Sequence, residues 1–282
     1  MSVTTAEPQI FSDLALARRL ERAEARSGSA FVEARAMLYP ASNARWIEVA
    51  GAYAMYDGVN SPVTQTFGLG LFETVTPVDM KVIEEFYQEF AAPVFHEVSP
   101  LADSSLPGLL NERDYHPMEF TSVMFQPIRR GIHLPVALNE RIQVRLIQED
   151  DHDLYAQTAV KGWATELAGL ADTIQELAQL SAKRPGGLSF LAELDGQPVA
   201  TGALSICDGV ALMAGASTVP EGRRNGAQLA LLDARLNYAA ERGCDLAMIC
   251  AFPGGSSQRN AERHGFRIAY TRIKWQLGPT KA

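Results

Sequence analysis

Two segments of the chain share a pattern that constrains its fold more than any other feature of the sequence. Residues 112–125 read ERDYHPMEFTSVMF and residues 262–275 read ERHGFRIAYTRIKW. Each is expected to close a strand, helix, strand, helix series, with Asp114-Tyr115 in the place of Gly265-Phe266. A repeated order of elements indicates two copies of one supersecondary unit. We therefore expect an α/β protein built from two units, residues 1–138 and 139–282.

Hydrophobic periodicity and the positions of glycine and proline predict the individual elements. The first expected helix starts after Phe11, with Ser12 as its N-cap, and is interrupted at Ser27-Gly28-Ser29. The other expected helices are a short one over 30–38 and those over 77–90, 106–113, from 149–151 to about 182, 228–242 and 256–264. The expected strands are 46–50, 62–71, 93–98, 117–126, 142–146, 188–194, 198–207, 210–219, 245–251 and 267–277. Asp195-Gly196 is typical of a two-residue hairpin turn.

Composition narrows the possible partners. The formal net charge of the 282 residues is −8, which argues against nucleic acid and anionic membranes because both attract basic surfaces. The three cysteines have no paired spacing and the five histidines form no HxxxH motif, so we expect no metal and reduced thiols. The first residues lack a secretory pattern and no segment reaches transmembrane length, so we expect a cytoplasmic protein.

The stretch VPEGRRNGAQLALL, residues 219–232, carries more positive charge than a turn requires. It leads from an apolar strand pattern into a helix pattern, and the first amides of a helix attract anions. Gly226 allows close approach of the backbone, and Arg223 and Arg224 add charge. These features favour a pyrophosphate site, although a solvated basic loop that caps a helix is the simpler structural alternative.

This segment resembles the coenzyme-binding loop of the GNAT superfamily of acyl-CoA N-acyltransferases, in which Arg/Gln-x-x-Gly-x-Gly/Ala follows a strand. Here Thr218-Val219-Pro220 leads into Arg223-Arg224-Asn225-Gly226-Ala227-Gln228, with Gln228 departing from the usual glycine or alanine. The family's second signature, a helix that ends in Gly-Phe, is similar to residues 260–266. The resemblance covers about residues 141–277.

The resemblance implies two GNAT-like mixed-sheet units with helices on both faces, and acetyl-CoA as cosubstrate for the acetylation of a small-molecule amine. It implies that the strands before and after the loop diverge around the pantetheine arm, and that strand residues 214–219 offer amides to the thioester carbonyl. The residues expected at the coenzyme are Thr218, Val219, Arg223, Arg224, Asn225, Gly226, Ala227, Gln228, Asn260 and Arg263.

The resemblance leaves proton handling open. Ala261 stands where the family commonly has a tyrosine that protonates the leaving thiolate. Tyr270 and Ser257 are the expected catalytic substitutes, with Ser256 also within reach, although the serines also suit a helix cap. Strand 210–219 contains no carboxylate to act as base. Asp208 and Glu166 are the alternatives, unless the first belongs to a turn and the second to a helix surface.

The first unit lacks the Arg-x-x-Gly pattern. Where the second unit has its arginines, the first has Glu73-Thr74-Val75-Thr76-Pro77-Val78-Asp79, whose carboxylates would repel a pyrophosphate. We expect this degenerate unit to bind no acyl-CoA and either to wall the acceptor site or to act only as a scaffold. A non-catalytic acyl-CoA sensor is the competing function, and a homodimer is possible.

Overall fold

Eleven strands hydrogen-bond side by side in one mixed sheet in the part of the chain that the structure describes. The structure is a computed structural model that describes residues 10–134, 137–164 and 169–278. The strands are β1 Arg45–Val49, β2 Ala52–Tyr56, β3 Gln65–Phe67, β4 Phe95–Val98, β5 Tyr115–Pro127, β6 Ile142–Leu146, β7 Leu188–Leu194, β8 Gln197–Cys207, β9 Val210–Thr218, β10 Leu246–Ala251 and β11 Arg267–Leu277. The helices are α1 Leu14–Leu38, α2 Pro77–Gln88, α3 Leu106–Glu112, α4 His152–Trp163, α5 Ala171–Lys183, α6 Ala227–Glu241 and α7 Ser256–Arg263.

The two predicted units exchange their last strands. The sheet order is β1-β2-β3-β4-β11-β5-β10-β9-β8-β7-β6, so β11 lies between β4 and β5, and β5 lies between β11 and β10. All three contacts are antiparallel, and Val123 of β5 is opposite both Tyr270 of β11 and Cys250 of β10. The division at residue 138 therefore separates two sequence units whose strands interleave. That each unit is a domain of its own remains a prediction.

The repeat in the sequence corresponds to a repeat in the structure. Both units contain a strand, a short helix and a long final strand in succession, namely β4, α3, β5 and β10, α7, β11. Asp114 (φ 65°) and Gly265 (φ 95°) both take left-handed backbone where the short helix turns into the final strand. The predicted equivalence of these two positions is confirmed.

Helix α1 lies inside a curve of the sheet. Gly28 packs so closely on Met55 of β2 that an added Cβ would lie 2.8 Å from Met55 Sδ. The neighbouring Ser27 Oγ is 2.8 Å from Ser205 Oγ of β8. Because six strands (β3, β4, β11, β5, β10 and β9) separate β2 from β8, the sheet must bend around α1 for one helical turn to reach both.

The predicted break at Ser27-Gly28-Ser29 is wrong, because α1 continues through all three residues. The glycine serves close packing on Met55 rather than a turn, and Ser29 Oγ donates to the Arg26 carbonyl within the helix. Helix capping also differs by one residue from the expectation, because Asp13 Oδ1 rather than Ser12 accepts the hydrogen bond from the Leu16 amide.

Most other predicted elements are confirmed to within a few residues, including the hairpin turn, where Asp195 (φ 50°) and Gly196 (φ 77°) join β7 and β8. The exception is the predicted strand 62–71, of which only Gln65–Phe67 pairs with neighbours, while β2 was missed. β2 reads AYAMY and is buried on both faces, so it shows neither β-branched residues nor an alternating pattern.

Helices cover both faces of the sheet. We call the face toward α1, α4 and α5 the inner face, and the face toward α2, α3, α6 and α7 the outer face. Adjacent strand residues divide between them: Tyr53 and Met55 pack with α1, whereas Ala52 and Ala54 pack with α2 and α3. Further along the sheet, Met248 packs with α1 and Ala247 with α6. This alternation places two hydrophobic cores on opposite sides of each unit.

Cutting the chain between the predicted units tests the strand exchange. We expect residues 139–282 expressed alone not to fold cooperatively, because they lack β5 and leave the edges of β10 and β11 unpaired. Co-expression with residues 1–138 should restore a complex with the circular dichroism spectrum and unfolding transition of the full chain.

A fragment of residues 115–282 is the matched control for that experiment. It keeps β5 and should resist proteolysis better than residues 139–282 do. If residues 139–282 alone unfold cooperatively at the same midpoint as the full chain, the exchanged strand is not needed for folding.

Candidate functional site

Strands β9 and β10 run parallel and separate partway along their length. Three residue pairs join them, the last being Leu212 opposite Met248. Both strands are fully described, and β9 continues to Thr218 and β10 to Ala251 beyond their last pair. The predicted divergence of these strands is confirmed. The gap leaves backbone groups of both strands available to an extended ligand.

A bulge in β9 opens the wall of this gap. The pairing of β9 with β8 shifts between Ala214 and Ser217, and the residues between them are Gly215 and Ala216. Gly215 has φ 59°, which favours glycine, and residues 214–216 are exposed. A bulge frees backbone groups from the ladder. The predicted amide donors of residues 214–219 therefore lie partly in an open stretch of strand.

Arg235 of α6 places a buried positive charge behind the bulge. Its Nη1 donates to the carbonyls of Ala203 (3.0 Å) and Ala214 (3.3 Å). An added Cβ at Gly202 would lie 2.9 Å from the guanidinium carbon, so a larger residue there would displace the guanidinium. Burial lowers the pKa of Arg235 to about 10, and it remains a cation at neutral pH. A cation beside the gap favours negative charge that develops on a ligand.

The loop after β9 ends at an open helix N-terminus. Arg223 and Arg224 are exposed, and Arg224 (φ 64°) and Gly226 (φ 85°) have left-handed backbone. Gly226 is the N-cap of α6, which has no side-chain capping bond and no acidic residue in its first turn. The first amides of α6 therefore face solvent beside two arginines, as an anion site requires.

Other predicted coenzyme residues shape this loop rather than protrude from it. Val219 is buried and its amide donates to the Val199 carbonyl (2.9 Å). Ala227 is buried in the outer-face core. The Asn225 carbonyl accepts from Asn139 Nδ2 (3.0 Å), which ties the loop to the segment before β6. These contacts fix the backbone that presents the amides.

Gln228 links α6 back to the end of β9. Its Nε2 donates to the Ser217 carbonyl (2.7 Å) and to Thr218 Oγ1 (2.9 Å). A glycine or alanine at this position could not make these bonds. The departure from the family pattern therefore adds a tie between the loop helix and the diverging strand.

Helix α7 lies on the same face as α6, and four residues separate it from β10. Asn260 is half-buried and Arg263 is exposed, while Ala261 is buried in the outer-face core. The prediction that Ser256 and Ser257 cap this helix is wrong, because Gly255 is the N-cap and no side chain caps it. Gln258 satisfies the turn instead, since its Oε1 accepts from the Gly254 amide (2.9 Å).

The two predicted proton donors lie on opposite faces of the sheet. Ser257 is exposed on α7, on the outer face. Tyr270 is buried on the inner face, where its hydroxyl donates to Glu21 Oε1 (2.9 Å). Burial, followed by the charge of Glu21, raises the pKa of Tyr270 well above its ordinary value. The structure therefore does not bring the two candidates together.

An ionic cluster on the inner face was missed by the sequence analysis. Arg272 of β11 makes two bonds to Glu24 of α1, Nη1 to Oε2 at 2.5 Å and Nη2 to Oε1 at 2.9 Å. Its Nη1 is 3.5 Å from Glu21 Oε1, and its Nε is 2.9 Å from Glu97 Oε2 of β4. Lys274 Nζ is 3.6 Å from Glu97 Oε1. Tyr270 and Cys250 complete this cluster.

For each of the two glutamates of α1, burial raises the pKa and the positive charge of Arg272 lowers it. Burial raises the pKa of Glu21 to about 7, despite the opposing charge of Arg272. For Glu24 burial also acts upward, but the charge and hydrogen bonds of Arg272 outweigh it and leave the pKa below its usual value. A sequence signal existed, because Glu21 lies in the apolar stripe formed by Leu16, Ala17 and Leu20.

Of the two residues suggested as the base, the structure describes Asp208 but not Glu166. Asp208 (φ 46°) and Gly209 (φ 78°) form the turn between β8 and β9, so the structural interpretation of Asp208 is confirmed. That turn is at the end of β9 away from the arginine loop. Glu166 lies outside the described residues.

In the first unit the equivalent helix N-terminus is closed. Thr76 and Asp79 form a reciprocal capping box at the start of α2, with Thr76 N to Asp79 Oδ2 at 2.8 Å. The Asp79 carboxylate thus takes the position that an anion occupies at an open helix end.

A metal centre and a membrane-spanning helix are both absent from the described residues. The described residues contain no group of three or more histidine, cysteine or acidic side chains arranged to hold a metal ion. Within the same described ranges, no helix combines the length and hydropathy needed to cross a bilayer.

Several solved structures share this fold. A GCN5-related N-acetyltransferase from Kribbella flavida aligns with a TM-score of 0.61 and 18% identity, over 90% of this chain and 95% of that one. One from Sphaerobacter thermophilus gives 0.56 and 19%, over 81% and 77%. A tandem GNAT protein from the clavulanic acid biosynthesis pathway gives 0.55 and 14%, over 82% and 83%. Curated protein sequences give no significant match.

The sequence also matches a family model. Residues 150–266 fit the model described as the acetyltransferase (GNAT) family, a range that contains the diverging strands, the arginine loop and α7. The match therefore covers the site built above. Residues 150–266 thus match the acetyltransferase (GNAT) family, and the chain as a whole has the fold of GNAT proteins.

Proposed function

We propose that this protein transfers an acetyl group from acetyl-CoA to an amine of a small molecule, by direct attack of the amine on the thioester. The observation that carries the proposal is the open N-terminus of α6, with Arg223, Arg224 and left-handed Gly226 at the end of a strand that diverges from its neighbour. An anion site and an adjoining gap between strands suit a pyrophosphate with an extended arm.

The loop and α7 hold the coenzyme in this proposal. The amides from Gly226 to Gln228 and the two arginines bind the pyrophosphate, which pairs backbone donors and guanidinium groups with phosphate oxygens. Thr218 and Val219 set the direction of the loop, and Asn260 and Arg263 approach the coenzyme from α7 across the gap. The arm then runs along the exposed bulge of β9.

The bulge supports the chemical step. When the amine attacks, negative charge develops on the thioester oxygen, and preorganised donors at that point lower the barrier. The open amides of residues 214–216 supply such donors, and buried Arg235 adds positive charge behind them. The gap also holds amine and thioester together, which removes much of the entropic cost of their encounter.

The first unit contributes to the acceptor side and carries no coenzyme. Its α2 terminus is closed by Thr76 and Asp79, which argues against a second acetyl-CoA. Its α1 lies on the inner face, where Glu24 Oε2 is 3.3 Å from Cys250 Sγ of β10. A wall of the gap therefore comes from the first unit.

The proposed location is the cytoplasm. The free thiols of the described cysteines accord with that reducing compartment.

A non-catalytic acyl-CoA sensor is the second candidate, and one observation favours it. Ala261 is buried in the core of the outer face, where a proton-donating tyrosine is usual in the family. A sensor would bind acetyl-CoA without releasing free thiol when amines are present. The same assay that tests the coenzyme loop separates the two functions.

Charge reversal at Arg223 tests the coenzyme site. Arg223→Glu removes a phosphate contact and adds repulsion, so we expect acetyl-CoA affinity to fall about 30- to 1,000-fold, or about 2–4 kcal/mol. Calorimetry measures the affinity, and a free-thiol assay with a panel of amines measures turnover by the unaltered protein.

Arg130→Glu is the matched control, because it makes the same charge change at an exposed position outside the loop. Its affinity should equal that of the unaltered protein. Unchanged affinity in Arg223→Glu would place the coenzyme elsewhere. Binding without thiol release for any amine would favour the sensor.

Separate substitutions test the proton donor to the leaving thiolate, for which we propose Ser257 or Tyr270. Replacing the true donor, by Ser257→Ala or Tyr270→Phe, should lower kcat by roughly 10²–10⁴ and leave acetyl-CoA affinity unchanged. Ser256→Ala is the control on the same helix turn. If neither substitution changes kcat, the thiolate leaves without help from these side chains.

A further inference from the structure

The ionic cluster lies beside the gap between β9 and β10. Its members come from four elements and are Glu21 and Glu24 of α1, Glu97 of β4, Cys250 of β10, and Tyr270, Arg272 and Lys274 of β11. It connects both sequence units. The proposed transfer reaction leaves one requirement unmet, a group that takes the proton of the acceptor amine.

The register of the sheet places Glu24 at the edge of the gap. Met248 is the last residue of β10 paired with β9, opposite Leu212, and Cys250 follows two residues later. If the pairing of β9 with β10 continued in the same register, Cys250 would lie opposite the exposed Ala214 across the gap. The thiol of Cys250 donates to Glu24 Oε2 at 3.3 Å. The Glu24 carboxylate therefore lies next to the stretch of β9 that would hold the thioester.

Burial distinguishes the two glutamates of the helix. The Glu24 side chain keeps 16% of its surface exposed, whereas that of Glu21 is fully buried. Helices α6 and α7 pack on the outer face of the sheet, so in this proposal the acceptor approaches from the inner face, where α1 lies. Glu24 is the carboxylate of the cluster that such an acceptor can touch.

The charges of the cluster do not balance when all of its members are ionised. Its three carboxylates, Glu21, Glu24 and Glu97, face two cations, Arg272 and Lys274, so one negative charge is left uncompensated when all are ionised. An uncompensated charge in a buried site attracts either a proton or a cationic ligand. An ammonium group that enters from the gap satisfies that requirement.

Arg272 couples the two carboxylates of α1. Its Nη1 lies 2.5 Å from Glu24 Oε2 and 3.5 Å from Glu21 Oε1. When a proton reaches Glu24, the guanidinium can compensate Glu21 instead, so the negative charge moves without leaving the cluster. Strongly coupled groups of this kind take up a proton as a unit. Burial raises the pKa of Glu21 to about 7, whereas the charge and hydrogen bonds of Arg272 hold the pKa of Glu24 below its usual value.

We propose that Glu24 is the catalytic base that binds the acceptor's ammonium group and removes its proton, with Arg272 and Glu21 as positioning residues. The inference rests on the proposed function and names the acceptor as a primary ammonium compound. One N–H proton passes from the ammonium to Glu24, and the nitrogen lone pair forms the bond to the thioester carbon. The C–S bond then breaks, the proton donor proposed above protonates the thiolate and is reprotonated by the second nitrogen proton, and the Glu24 carboxyl group returns its proton to water.

The test compares two acceptors in the full-length protein. The first is the alkylamine of the amine panel that the unaltered protein acetylates fastest, which is protonated at neutral pH. The second is hydroxylamine or aniline, which is already neutral and needs no base to remove an initial proton. In Glu24→Gln we expect kcat/KM for the alkylamine to fall roughly 10²–10⁴-fold, with a much smaller loss for the neutral amine and unchanged acetyl-CoA affinity.

Two further variants control this comparison. Glu33→Gln makes the same change at an exposed position of α1 and should leave both rates unchanged. If Glu24→Gln does not fold, Glu24→Asp keeps the charge beside Arg272 but withdraws the carboxylate by one methylene. It should again slow the alkylamine more than the neutral amine.

The outcomes distinguish a failure of this inference from a failure of the proposed transferase function. Equal losses with both acceptors, or no loss with either, would overturn the role of Glu24 while turnover by the unaltered protein upholds the transferase. Failure of the unaltered protein to bind acetyl-CoA or release thiol would overturn both.

Discussion

The ion pairs of Arg272 join parts of the chain that are far apart in sequence. This residue of the last strand is buried against Glu21 and Glu24 near the start of the chain and against Glu97 of β4. Such contacts exist only because β11 crosses into the first unit. Buried ion pairs cost desolvation, but loss of one partner leaves uncompensated charge, typically at about 3–5 kcal/mol. Arg272 therefore links the exchanged strand to both α1 and β4 of the first unit.

The two units have diverged in physical character at equivalent places. At the start of α6 the backbone is left-handed, uncapped and flanked by arginines, whereas α2 begins with proline and a closed capping box. A capped helix end is more stable by itself, and an uncapped one has amides to offer a ligand. One unit thus bears the features of a coenzyme site, and the other supplies α1 and β5, which pack against it.

Local features of the site could be predicted from the sequence, and nonlocal ones could not. The arginine loop, Gly226 and the divergence of β9 from β10 follow from residues adjacent in the chain or from a family pattern. The strand exchange depends on pairing between β5 and β11, and either strand's pattern fits its own unit equally well. The continuity of α1 through Gly28 and the burial of Glu21 depend on Met55 and Arg272, which lie elsewhere in the sequence.

The central claim is that one unit binds the coenzyme while the other completes the acceptor side. The stoichiometry of acetyl-CoA binding to the full chain, measured by isothermal titration calorimetry, tests this most directly. We expect one equivalent per chain, because the start of α6 offers open amides and arginines beside a gap between strands, whereas the start of α2 is closed by its capping box. Two equivalents of similar affinity would show that the capped first unit also binds the coenzyme, and would contradict the account.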